Sequence, residues 1–168
     1  IGGSDLGPRF VCDAFQDVAD GPHIHFVSNV DVHDLLRALK KCNVDDTIFL
    51  VASKTFTTAE TMLNAKPAFE WSGGRVDAFY AITANAKKAS EWGIISDHIL
   101  SFPEWVGGRF SLWSSIGFSI AIAFGAEAFL SLLDGARVCD QEFLNREYQN
   151  NIPVIMAVMG LDNRNYLK

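Results

Sequence analysis

Cysteine is scarce in these 168 residues: Cys12, Cys42 and Cys139 stand far apart, odd in number and without a CxxC pair. That spacing excludes a zinc-ribbon or dithiol redox centre and leaves reduced, packed thiols as the expectation. Long uninterrupted apolar runs are missing as well. The most apolar stretch, "IGFSIAIAFGAEAFLSLL", is broken by two serines, two glycines and a glutamate, so it reads as a buried helix pair and no transmembrane segment is expected. No basic region followed by an apolar stretch and a small-residue cleavage site is found, so secretion is not expected. Positive charge is the third shortage. Fourteen Lys and Arg stand against 20 Asp and Glu, for a net charge of −6 with no basic stripe. A nucleic-acid backbone, which needs clustered cations, is thereby an unsuitable partner. An anionic ligand gains no long-range attraction, so any phosphate has to be held by local donors.

What is present is the composition of a packed interior: 49% hydrophobic and 20% charged residues. One domain over 1–168 is the default at this length. The pattern predicts a helix over Pro8–Ala19, with Pro8 in its first turn, and a strand at "HIHFVSN". A helix follows at "DVHDLLRALKKC", capped by Asp31, and then the strand "TIFLVAS". Beyond these come the helix "TTAETMLNA", the strand "VDAFYAITA", the helix "NAKKASEWG" closed by Gly93, and the strand "ISDHILSF". Strand and helix alternate in units of about thirty residues, the pattern of a mainly parallel, doubly wound sheet with helices on its faces. From Phe110 onward the pattern is helical, and "NIPVIMAVMGL" reads as a helix with its proline near the first turn. The Gly-rich "IGGSDLGP" makes physical sense between a strand and a helix, yet only Ile1 remains of such a strand. With no initiating Met, and with "DNRNYLK" closing on no clear element, the chain reads as a piece of a longer one.

Three clusters carry chemistry. "SKTFTTAET" crowds hydroxyls between a buried strand and a helix. Thr57 and Glu60 have capping-box spacing, which would be purely structural. Ser53, Thr55, Thr58 and Thr61 are not explained by that box. They surround a helix N-terminus, whose free N–H groups and dipole favour an anion, so they form either a phosphate cradle or ordinary turn chemistry. No Walker loop is present. The second cluster is "IGGSDLGP", where Gly2 and Gly3 permit close backbone approach and Ser4 adds a hydroxyl. In the third, "WVGGRFSLWSS", Gly107 and Gly108 precede Arg109, a permanent cation at the edge of an apolar segment that needs a carboxylate or an anion as partner. His23, His25, His33 and His98 lack metal-ligand spacing, and no metal site is expected.

Taken in order, "IGGSDLGP", "HFVSNVD", "IFLVASKTFTTAET", "TANAKK" and "WVGGRFSLWSSIG" resemble the landmarks of the glucose-6-phosphate isomerase family over essentially the whole chain. The resemblance implies a three-layer αβα sugar-isomerase (SIS) domain, flavodoxin- or Rossmann-like, with a helical C-terminal part. It implies that Ser53, Thr55, Thr58 and Thr61 hold the substrate phosphate, with Lys54 supplying backbone and charge. Gly3 and Ser4 correspond to the first-loop substrate contacts, Gly108 to a sugar contact and Arg109 to the catalytic arginine. The reaction so implied interconverts glucose 6-phosphate and fructose 6-phosphate through an enediolate, with no metal or organic cofactor, in a cytoplasmic homodimer.

The chain departs from that family in what it lacks. The family's general-base glutamate, ring-opening histidine and C-terminal lysine lie in segments not found here. A positioned base contributes roughly two to four orders of magnitude in rate, so this piece alone is expected to be inactive. The alternative expectation is a non-catalytic phosphosugar-binding module that senses its ligand.

Overall fold

A computed structural model describes residues 2–164, which group into two compact units, one up to Ala126 and one from Glu127 onward. The first unit is mixed α/β. Helix α1 (Gly3–Ala14) starts directly from Gly2, whose φ of 59° lies in the left-handed region that glycine tolerates. The helix therefore begins five residues before the predicted start and ends at Ala14, and Pro8 sits inside it. Having no N–H, Pro8 leaves the Ser4 carbonyl without its helical donor. Buried Asp5 pairs with Arg9 one turn on, at 3.1 Å.

Helix α2 (Val32–Leu39) buries Leu35 and Leu39 and is capped by Asp31, whose carboxylate accepts the His33 N–H at 2.9 Å. That bond, then the one with the His33 ring, holds the exposed Asp31 carboxyl below the usual carboxylate range. Strand β1 (Phe49–Ala52), helix α3 (Ala59–Trp71), strand β2 (Phe79–Thr83), helix α4 (Ala86–Trp92) and strand β3 (Ile99–Ser101) follow in alternation. Gly93 closes α4 at φ 112°, as the sequence led one to expect.

The three strands pair in parallel, in the order β1-β2-β3, with Phe49 opposite Phe79 and Ala81 opposite Ile99. Side chains alternate between two packed layers, as a parallel sheet with both faces covered requires. Val51, Phe79 and Ala81 meet Leu35, Ala65 and Ala89 from α2, α3 and α4. On the other face Ile82, with Leu50 and Ala52, meets Val106 and Ile116. A stacked Phe49–Phe79 pair with centroids 4.5 Å apart fills the first layer.

"HIHFVSN" is not a strand. Residues 22–29 pair with no strand, and among the described residues no backbone-to-backbone hydrogen bond reaches them. The alternating pattern is there, but a strand needs a neighbour, and among the described residues this segment has none at hydrogen-bonding distance. The stretch after Phe110 also differs in detail: residues Gly108–Trp113 and Ser115–Gly117 form 3-10 turns before helix α5 (Phe118–Phe124). Of the thiols, Cys12 is buried, Cys42 half-buried and Cys139 exposed, so the packed-thiol expectation fails at Cys139. Burial, with Asp13 adding to it, pushes Cys12 up to about 11.

The second unit is a helical pair, α6 (Ala126–Asn145) and α7 (Ile152–Asn163). Asn151 makes the joint. Its Nδ2 donates to the Phe143 carbonyl at 2.8 Å, and its Oδ1 accepts the Val154 N–H at 3.2 Å, closing one helix and opening the next. No described helix is long and apolar enough to cross a membrane.

Candidate functional site

In parallel sheets ligands gather where strands end, and the ends of β1 and β2 are held together at atomic detail. The Ser53 N–H donates to the Ile82 carbonyl, and the Lys54 carbonyl receives the Ala84 N–H, both at 3.0 Å. A third bond reinforces them: the fully buried Thr83 hydroxyl donates to the Lys54 carbonyl at 3.0 Å while accepting the Asn85 N–H at 3.0 Å. Sequence reading gave Thr83 no role. Its signal was a lone hydroxyl at the end of an otherwise apolar strand, and only the strand order shows what it touches.

The turn leaving β1 pivots on Phe56. Its φ of 53° is the only positive value at a non-glycine among the described residues, and a bulky side chain rarely adopts it. The ring, 3% exposed, packs edge-on to Trp92 with centroids 6.5 Å apart. Burial of the ring thus holds the backbone in a turn it would otherwise avoid. Phe56 was also missed, because an aromatic inside a hydroxyl-rich loop reads as filler until its dihedral is seen.

Around that pivot the hydroxyls pair. Ser53 Oγ and Thr58 Oγ1 lie 2.9 Å apart, and Thr57 Oγ1 donates to Thr55 Oγ1 at 2.8 Å. The predicted Thr57–Glu60 capping box is not formed, since Thr58 is the residue at the N-cap of α3 and its side chain makes no capping bond. Its hydroxyl is engaged with Ser53 instead. The first N–H groups of α3 are consequently left without a side-chain acceptor, and the dipole end stays open to an anion. The hydroxyl pairing also leaves donors over. Thr55 accepts from Thr57 and keeps its own proton, and one proton of the Ser53–Thr58 pair remains unused.

Gly3, Gly108 and Arg109 come together some distance along the chain from this loop. A Cβ on Gly3 would fall onto the Gly108 carbonyl and crowd the Arg109 N–H, so only glycine permits this approach. Buried Ser111 ties the turn down by donating to the Gly108 carbonyl at 2.7 Å, with the Gly3 carbonyl 3.4 Å away. Arg109 itself is exposed, and among the described residues it makes no ion pair. The structural ion pair left open by the sequence is thus not made. Ser4 and Thr61, one from each cluster, border the same cavity of about 650 Å³. Among the described residues no direct hydrogen bond joins the hydroxyl loop to the Gly108–Arg109 turn; beneath the sheet Ile82, Val106 and Ile116 pack in one apolar cluster. Lys54 is half-buried and contributes its carbonyl to β2.

The family model for phosphoglucose isomerase matches residues 1–168. The chain belongs to that family. Among solved structures it is similar to a glucose-6-phosphate isomerase from Chlamydia trachomatis, with a TM-score of 0.84 and 30% identity over 97% of this chain and 32% of that one. It is also similar to a hypothetical protein from Thermus thermophilus, with a TM-score of 0.75 and 25% identity over 95% of this chain and 39% of that one. The chain therefore spans about a third of the length of the isomerase it matches.

Proposed function

We propose that this chain supplies the phosphosugar-binding part of an aldose–ketose isomerase that interconverts glucose 6-phosphate and fructose 6-phosphate. The phosphate is held by the hydroxyls of Ser53, Thr55, Thr58 and Thr61 together with the first N–H groups of α3, while Lys54 adds charge. One observation carries this reading: the Thr58 hydroxyl is bonded to Ser53 instead of capping its own helix, which leaves amide and hydroxyl donors unspent at one corner. An array of neutral donors suits a protein of net charge −6, where bulk attraction for an anion is lacking.

Gly3, Ser4 and Gly108 then face the sugar, and Arg109 is the catalytic residue. The isomerisation moves a proton between C2 and C1 through an enediolate. A guanidinium beside the forming oxyanion lowers the barrier, because that charge exists mainly in the transition state. The exposed, unpaired state of Arg109 fits such a role. The base that moves the proton comes from polypeptide outside these residues, so the piece binds the sugar phosphate without turning it over at an appreciable rate. The same reading carries with it a cytoplasmic location and, for the longer isomerase, a homodimer.

Calorimetric titration with fructose 6-phosphate and with fructose tests the binding half. The phosphorylated sugar is expected to bind and to raise stability by about 2.7 kcal/mol at 100 times its Kd, while fructose does neither. Thr55→Val is expected to weaken binding by roughly 1–2 kcal/mol with an unchanged melting temperature, since the hydroxyl is exposed in the free protein. Unchanged affinity in that variant assigns the phosphate to other groups.

A further inference from the structure

Two side chains, one from each of the helices that carry the candidate site, close on one short segment. Arg9, one turn beyond Asp5 in α1, donates from Nη2 to the Phe26 carbonyl at 3.0 Å, and its guanidinium lies over the Phe26 ring, 5.6 Å from the centroid. The same nitrogen stands 3.1 Å from the buried Asp5 carboxylate and 3.4 Å from Ser28 Oγ. At the other end of the segment, Asn64 Nδ2, from α3, donates to the Asn29 carbonyl at 2.8 Å. The Asn29 side chain in turn accepts the Asp31 N–H at 3.2 Å, which carries this grip into the cap of α2.

α1 starts at Gly3 and Ser4, and α3 starts just after Thr58 with Thr61 in its first turn. Ser4, Asp5, Phe26, Val27, Thr61 and Asn64 border one cavity of about 650 Å³. Segment 26–29 bridges the two helices beside that cavity, and among the described residues no hydrogen bond or ion pair runs directly from α1 to α3. A span of three residues reaches at most about 11 Å, so holding both of its ends limits how far Ser4 and Thr61 can part. Neither clamp acts by charge: Asp5 neutralises Arg9, and Asn64 has none.

We propose that Arg9 and Asn64 are positioning residues for the sugar-phosphate site, which by holding segment 26–29 at both ends set the separation between the sugar contacts at Gly3 and Ser4 and the phosphate corner at the head of α3. The inference rests on the phosphosugar reading above. A ligand that touches both corners gains from their fixed spacing, because its second contact is made within one complex. Inorganic phosphate reaches the corner alone and gains nothing from that spacing. The two ligands therefore separate a positioning role from general support of the fold.

The test titrates the chain and its variants with fructose 6-phosphate and with inorganic phosphate, following the amide shifts of Ala59, Glu60 and Thr61. Asn64→Leu keeps the approximate size and removes the donor. It is expected to weaken fructose 6-phosphate binding about fivefold or more while phosphate affinity changes by less than about twofold. Asn64→Gln, which keeps an amide donor, should recover most of the loss. Arg9→Met should act in the same direction; because it leaves the buried Asp5 without its cation, it is made together with Asp5→Asn. A folded Asn64→Leu protein that holds both ligands as tightly as the unmodified chain, or weakens both alike, overturns the positioning role and leaves the phosphosugar reading standing. If the unmodified chain binds neither ligand, that reading falls and this inference falls with it.

Discussion

Thr83 shows how much one buried hydroxyl organises. It is 0% exposed, donates to the Lys54 carbonyl and accepts the Asn85 N–H, so the β1 exit loop and the start of α4 hang on the same oxygen. Thr83→Val keeps the shape but strands the Asn85 N–H, and is expected to cost about 1–3 kcal/mol of stability in a denaturant titration. Thr83→Ser should restore most of it. If valine and serine are equally destabilising, the methyl packing and not the hydroxyl matters. Phe56 makes a different bargain, holding a φ of 53° in exchange for a buried ring. Phe56→Ala removes the ring that holds the turn and is expected to cost about 3–5 kcal/mol, less any strain released, read from the same titration.

At the scale of elements, the parts legible in the sequence were those whose cause is local. Asp31 caps α2, Gly93 closes α4 and proline opens α7, because each depends on residues within one turn. The strand cores Phe49–Ala52, Phe79–Thr83 and Ile99–Ser101 were legible too, though each proved shorter than its apolar run. What the sequence did not show was set by partners that the local pattern does not name, near or far along the chain. "HIHFVSN" carries a strand's alternation without a strand's neighbour, and the Thr57–Glu60 box lost to a hydroxyl pairing five residues long. Helix α1 starts before the position that a first-turn Pro8 predicts, at Gly3, which lies against Gly108. The Asp31 cap also makes a prediction about acid. Its carboxyl is held below the ordinary value of 3.8, so its contribution to α2 is present above that pH and is lost as pH falls through the lowered folded value. The His33 amide shift, followed by NMR through acid, should move with the Asp31 titration, and in Asp31→Asn that movement should vanish. An amide shift indifferent to this substitution would remove Asp31 as the cap.

For the molecule as a whole, fold and site are coupled through the sheet. The parallel order β1-β2-β3 places Ser53 beside Ile82 and Lys54 beside Thr83, and this registry turns a run of hydroxyls into a fixed corner at the head of α3. The hydroxyl-rich stretch and the glycine–arginine stretch were both visible as chemistry in the sequence. Their separate anchoring, one by Thr83 and Phe56 and the other by Ser111, was not, since each anchor lies far along the chain from at least one group it holds. The central claim is that neutral donors at that corner take a phosphate. It is tested most directly by recording amide shifts in the described chain while fructose 6-phosphate is added, with fructose as the comparison. Saturable shifts centred on Ala59, Glu60 and Thr61 that fructose does not produce are the expected result; a folded protein in which those three amides stay still while the sugar phosphate is in large excess would contradict it.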